Sequence, residues 1–105
     1  SNWVTDLKRD FDDPSSETVA TEFVCTSLSS GGDGQDMTAG GERLLGRNPH
    51  LKFYNGQRGY VIANVTPDLW TSEFKVVPVV TEAGGSLETR AKFVIEDGHP
   101  GAEEA

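Results

Sequence analysis

Polar and apolar residues alternate most regularly near the end of the chain. From Glu88 to Glu96, Thr89, Ala91, Phe93 and Ile95 fall on one side, with Glu88, Arg90, Lys92 and Glu96 on the other. That period of two predicts a half-buried strand. A run rich in β-branched and aromatic residues predicts another from about Val19 to Leu28, with Val19, Thr21, Phe23 and Cys25 sharing a face. Leu51–Tyr54 alternates too. Asn55-Gly56 then offers the positive φ values of a tight hairpin, and Arg58–Thr66 returns as its partner. Both faces of that returning run are mostly apolar, which predicts a central strand, and Gly59 within it predicts a bulge or a close backbone contact. Thr66, Pro67 and Asp68 suit the start of one helical turn carrying Leu69 and Trp70. Glu73–Val80 resumes as a strand, with Pro78 at an edge or bulge.

The remaining segments break the β pattern. Val4, Leu7 and Phe11 recur at helical spacing, and Pro14 closes that element. Ser30–Gly41 reads as a flexible glycine-rich loop, and Gly41–His50 as at most a turn or two of helix ended by Gly46. Gly98–Ala105 reads as a disordered tail after a β-rich portion over residues 1–97. The predicted fold is mainly β, an antiparallel meander of about four or five strands with one or two short helices.

Composition narrows the function. Seventeen acidic residues against nine basic ones give a net charge of −8, which repels a polyphosphate backbone, so no nucleic-acid surface is expected. No apolar run approaches the roughly 18 residues of a membrane span, and no charged-then-apolar leader opens the chain. Cys25 is the single cysteine, so an internal disulfide is impossible, and its apolar run predicts a buried, inert thiol.

Several residues have the chemistry of a site, each with a plainer structural role beside it. His50 could ligate a metal or act as a base, but its neighbours in sequence supply no further ligands, and a structural hydrogen bond is the simpler expectation. Arg58 could hold a phosphate through its planar fork or pair with a carboxylate such as Glu22. Gly31-Gly32-Asp33-Gly34 lacks the lysine or helix start of a phosphate cradle. Asp97-Gly98-His99 has the form of a metal-binding motif but reads as a turn at a strand end. Asn64-Val65-Thr66 matches a glycosylation acceptor on a strand expected to be buried. Trp3, Tyr54, Tyr60 and Trp70 could form a carbohydrate platform, or pack in the core. An autonomous β-sandwich binding module is therefore one open reading.

Three stretches in combination carry a family resemblance. They are Thr-Glu-Phe-Val with Thr26-Ser27 and Ser30-Gly31-Gly32; Asn48-Pro49-His50 through Arg58-Gly59-Tyr60, Val65-Thr66-Pro67 and Trp70; and Thr89-Arg90-Ala91 through Asp97-Gly98. Together they resemble the C-terminal part of the PhoD-type alkaline phosphatases, from about Trp3 to Gly101. The resemblance implies an exported parent enzyme with a metallophosphoesterase-type α/β sandwich. It implies hydrolysis of phosphodiesters and phosphomonoesters with calcium and iron. It also implies that the last Gly-Asp-x-His ligand motif lies just before the equivalent of Ser1–Leu7, so no catalytic, cofactor or metal residue is assigned here. Cys25 stands where the family pattern has a small residue, not at its metal-site cysteine. Thr26, Ser27, His50 and Arg58 are the candidates for the neighbourhood of the parental site. The expected partners are the remainder of the parent and its phosphate ester substrate. The excised piece is expected to self-associate through an apolar sheet face.

Overall fold

The computed structural model describes every residue from Ser1 to Ala105. Its strands are β1 (Asn2–Lys8), β2 (Thr18–Val24), β3 (Gly34–Gln35), β4 (Leu51–Val65), β5 (Leu69–Val77), β6 (Glu88–Glu96) and β7 (Glu103–Glu104), with one helix, α1 (Ala39–Arg47). They form one antiparallel sheet in the order β2-β1-β4-β5-β6-β7, with β3 paired to β4. The mainly β antiparallel fold matches the sequence pattern. Of the inward face predicted for β6, Ala91 and Phe93 are buried and Ile95 is half-buried, while Thr89 near the strand start is exposed.

β4 organises the sheet. Its first half pairs with β1 up to Asn55, and from Arg58 onward it pairs with β5. The sheet folds over along this strand, because Phe23 of β2 meets Phe74 and Trp70 of β5 at 6.3 and 6.4 Å between ring centres. Strands β1 and β4 lie between β2 and β5 in the order. Between the two layers sit Val4, Phe53, Phe74, Ala91, Phe93 and Ala102. Phe53, Phe74 and Phe93 contact one another at 5.2–6.1 Å in tilted and edge-to-face geometries.

Several sequence expectations are corrected. The opening segment is strand β1, not a helix: Val4, Thr5 and Asp6 are all buried, which two flanking strands achieve and one helical face does not. Phe11 lies outside it, exposed in a turn that the Ser16 hydroxyl closes by accepting from the Asp10 amide and donating to the Asp10 carbonyl. The Asn55-Gly56 hairpin does not form, because β4 runs straight through both residues and neither has positive φ. Gly56 is there for space, since a Cβ would stand 2.6 Å from the Gln35 carbonyl oxygen. The real hairpin turn is Thr66–Leu69. Thr66 Oγ1 accepts from the Leu69 amide as a cap would, but the Thr66 amide bonds the Leu69 carbonyl at 2.9 Å and the chain reverses into β5. α1 is longer than expected, nine residues with Gly46 inside it. Thr38 caps its start by accepting from the Gly41 amide, and Asn48 caps its end. The tail is ordered, because Ala102 fills the core edge and Lys52 Nζ donates to its carbonyl at 2.6 Å while pairing with Asp6 at 2.9 Å. β7 then pairs with β6.

At the bend of β4, Asn55 is fully buried and hydrogen-bonded all round. Its Oδ1 accepts from Asn2 Nδ2 at 3.1 Å and from the Gln57 amide at 3.0 Å. Its Nδ2 donates to Asp36 Oδ1 at 2.7 Å and to Gln57 Oε1 at 2.9 Å. Asp36 in turn accepts from Arg90 of β6 through both carboxylate oxygens, at 2.6 and 3.3 Å. That fork, followed by the Asn55 bond, holds the Asp36 carboxyl below the usual carboxylate range.

Two predictions follow from this architecture. A Cβ at Gly59 would lie 1.8 Å from the Lys75 carbonyl oxygen, inside the β4–β5 pairing, whereas Gly46 has open space around it. Gly59→Ala should destabilise the chain by about 3 kcal/mol or more, while Gly46→Ala should stabilise it by about 0.5–1 kcal/mol. Urea midpoints of both variants check this contrast. For Asp36, a lowered folded-state pKa means the folded chain binds fewer protons, so its contribution is present above the ordinary carboxylate value and is lost as pH falls through the folded value. Asp36→Asn should therefore lower stability above about pH 4 and converge on the parent chain as the pH falls through the folded value. Urea midpoints measured against pH test this.

Candidate functional site

The chain leaving β2 carries Thr26 and Ser27 back over the bend of β4. Asn2 Oδ1 accepts from the Thr26 amide at 2.9 Å, and the Ser27 carbonyl accepts from the Gly59 amide at 3.2 Å. Arg58 reaches this segment from β4. Its Nη1 donates to Ser27 Oγ at 2.6 Å and to the Ser30 carbonyl at 2.8 Å, and Nη2 donates to the Gly56 carbonyl at 3.0 Å. No carboxylate lies within ion-pair distance of Arg58. The alternative pairing with Glu22 is thus not made, because serine and backbone acceptors surround the guanidinium instead. Arg58 Nε and Thr26 Oγ1 are both buried without a hydrogen-bond partner. Three of the four sequence candidates, Thr26, Ser27 and Arg58, therefore converge in a cluster with one net positive charge.

His50 does not join them. It precedes β4, eight positions before Arg58, which stands mid-strand beyond the bend at Asn55. Its ring packs edge-on against Phe11 at 4.9 Å, and its carbonyl accepts from the Asp6 amide at 2.8 Å, both structural roles.

The glycine-rich loop beside Arg58 is pinned. Asp33 Oδ1 accepts from the Val80 and Thr81 amides at 2.7 and 3.0 Å, and Oδ2 from Thr81 Oγ1 at 3.2 Å. The Val80 bond above all lowers the Asp33 pKa. These bonds hold the loop against the segment that follows β5. Gly34 has φ +71°, and a Cβ there would meet the Gly56 carbonyl oxygen at 2.0 Å, so only glycine fits against β4.

The other motifs resolve individually. Cys25 is exposed, not buried, because β2 ends at Val24 and Cys25 begins the crossing segment. Asp97-Gly98-His99 forms a turn in which the His99 amide bonds the Glu96 carbonyl at 3.1 Å. Asn64 is exposed near the β4–β5 turn, where no layer covers the strand end. Trp3 packs on Tyr54 at 4.7 Å while Trp70 stacks on Phe23, so the four aromatics do not make one platform. No three histidine, cysteine, aspartate or glutamate side chains converge to hold a metal ion, so the residues present do not fit calcium or iron. No helix is long and apolar enough to cross a membrane.

Asn2, Asp36 and Asn55 are the polar positions that sequence reasoning missed. Their signal was weak: an asparagine inside an otherwise alternating strand, paired in register with a second asparagine.

Comparison with known proteins gives a consistent result. The family model for PhoD-like phosphatases matches residues 1–74. Alkaline phosphatase D of Bacillus subtilis (strain 168) is 43% identical over 101 residues, which is 96% of this chain and 17% of that protein. A solved structure of PhoD superposes with a TM-score of 0.93 at 41% identity, over 99% of this chain and 20% of the other. The chain therefore spans about a fifth of the length of the relatives it matches. With the sequence family, the fold and the identity all in agreement, this chain belongs to the PhoD-like phosphatase family.

Proposed function

We propose that this chain is a non-catalytic structural portion of a metal-dependent alkaline phosphatase and phosphodiesterase. Its strands close one side of the parental α/β sandwich, and the ion-holding groups come from outside these residues. One observation carries the reading. The chain is 43% identical, over nearly its whole length, to an alkaline phosphatase of which it makes up 17%. Its lack of a metal donor set is compatible with that division of labour. Calcium and iron would supply the neutralisation of phosphoryl oxygens when bound, in ligand sets the rest of the protein provides. Export of the parent belongs to the same proposal.

Within this reading, the Thr26–Ser27–Arg58 cluster is the part of the chain nearest the substrate. Arg58 supports that placement, since it is a guanidinium without a carboxylate partner in a chain of net charge −8. Such a group attracts the anionic ester and turns its fork toward oxygen acceptors.

Turnover of p-nitrophenyl phosphate and bis-p-nitrophenyl phosphate, with calcium and iron supplied, tests the proposal. Full-length protein should hydrolyse both and the isolated chain neither; turnover by the chain alone would contradict the structural role. Arg58→Ala in the full-length enzyme should lower kcat/KM by about 10- to 100-fold, the loss of one charge-assisted hydrogen bond. Unchanged kinetics in a folded variant would remove Arg58 from the site.

A further inference from the structure

We propose that the open mouth between the two sheet layers receives an apolar segment of the full-length polypeptide flanked by lysine or arginine. This rests on the reading of the chain as part of a larger phosphatase and names the surface through which it joins the rest.

The two layers are continuous along β4 and therefore closed on that side. Where β2 faces the β4–β5 turn and the end of β6, they stand apart around a cavity of about 330 Å³ lined by Val19, Val65, Pro67, Leu69, Trp70 and Ile95 among others. Val65 is 59% exposed, Val19 47% and Trp70 39%, although Ile95 in the same lining packs against the core and Trp70 stacks on Phe23. Full burial of each such side chain is worth roughly 1.5–3 kcal/mol, so an unfilled mouth leaves much of the available stabilisation unused.

Whole-molecule dimensions point the same way. The chain exposes 6315 Å², where a folded monomer of its mass exposes about 5,700 Å². Its radius of gyration is 14.7 Å, against about 13 Å for a closed domain of this length. The fold is thus under-closed. The relatives have the chain length to close it, since about four-fifths of each lies outside the matched region.

Charge selects the occupant. Asp68, Glu96 and Asp97 rim the mouth, and no lysine or arginine stands among its lining residues. Asp68 and Asp97 make no ion pair. A second copy of this chain would bring another −8 to an acidic rim. An apolar segment with basic flanks fills the mouth and neutralises the rim together.

The test is thiol labelling at the mouth. Val65→Cys, a small apolar exchange, is introduced into the full-length protein, which is reacted with N-ethylmaleimide and read by peptide mass spectrometry. Phosphate-ester turnover is measured on the same preparation. Labelling at residue 65 should be at least about tenfold slower in the native protein than in urea, at a rate independent of protein concentration. Native labelling within about twofold of the urea rate would overturn the docking. Protection that grows with protein concentration would overturn it too, because the occupant would then be a second copy. Free labelling with intact turnover removes the docking and leaves the phosphatase reading standing. Protection without turnover upholds the docking and removes that reading.

Discussion

One buried asparagine holds this fold in register. Asn55 sits at the bend of the longest strand, fully buried, and joins the start of β1 through Asn2, the glycine-rich loop through Asp36, and the next strand positions through Gln57. An amide removed from water without its partners costs about 1–3 kcal/mol for each bond left unmade. The two long-range bonds, to Asn2 and Asp36, therefore determine which strand end and which loop can pack at the bend. Through Asp36 the same network reaches Arg90 on β6, so a single polar chain spans the two layers.

The candidate site inherits its geometry from that network. Asn2, bonded to Asn55, also accepts from the Thr26 amide, which fixes the segment bearing Ser27. Ser27 then meets Arg58, three residues beyond Asn55 on the same strand. Arg58 is thus placed by strand β4, while Thr26 and Ser27 belong to the connecting segment that Asn2 fixes. Asp33, anchored on the Val80 and Thr81 amides, holds the far side of the loop.

Much of the β architecture was legible because burial on one face writes itself as alternation. β6 is the clearest case, with Ala91 and Phe93 inward as the pattern required. Gly59 was legible for a related reason, since a glycine inside a strand marks a close backbone approach, here to Lys75. Asn55-Gly56 misled because its turn preference is local, and two tertiary hydrogen bonds of the Asn55 side chain, to Asn2 and Asp36, outweigh it. Thr66-Pro67-Asp68 misled in the same way: its capping bond forms, but pairing of Val65 with Trp70 draws the chain into a hairpin. β1 was misread because Val4, Leu7 and Phe11 happen to fall at helical spacing while two neighbouring strands bury the chain on both sides. Of the site, Thr26, Ser27 and Arg58 were visible as residue types. Their convergence was not, because it depends on a segment folding back across the bend 31 residues before Arg58.

The most direct test of this account is a double-mutant cycle in urea denaturation of the chain, using Asn2→Ala, Asn55→Ala and the pair. Shared bonding predicts a coupling energy of about 1–3 kcal/mol, because either single change already strands the other amide. Additivity within about 0.5 kcal/mol would show that the two asparagines act independently and that the bend is held by something else.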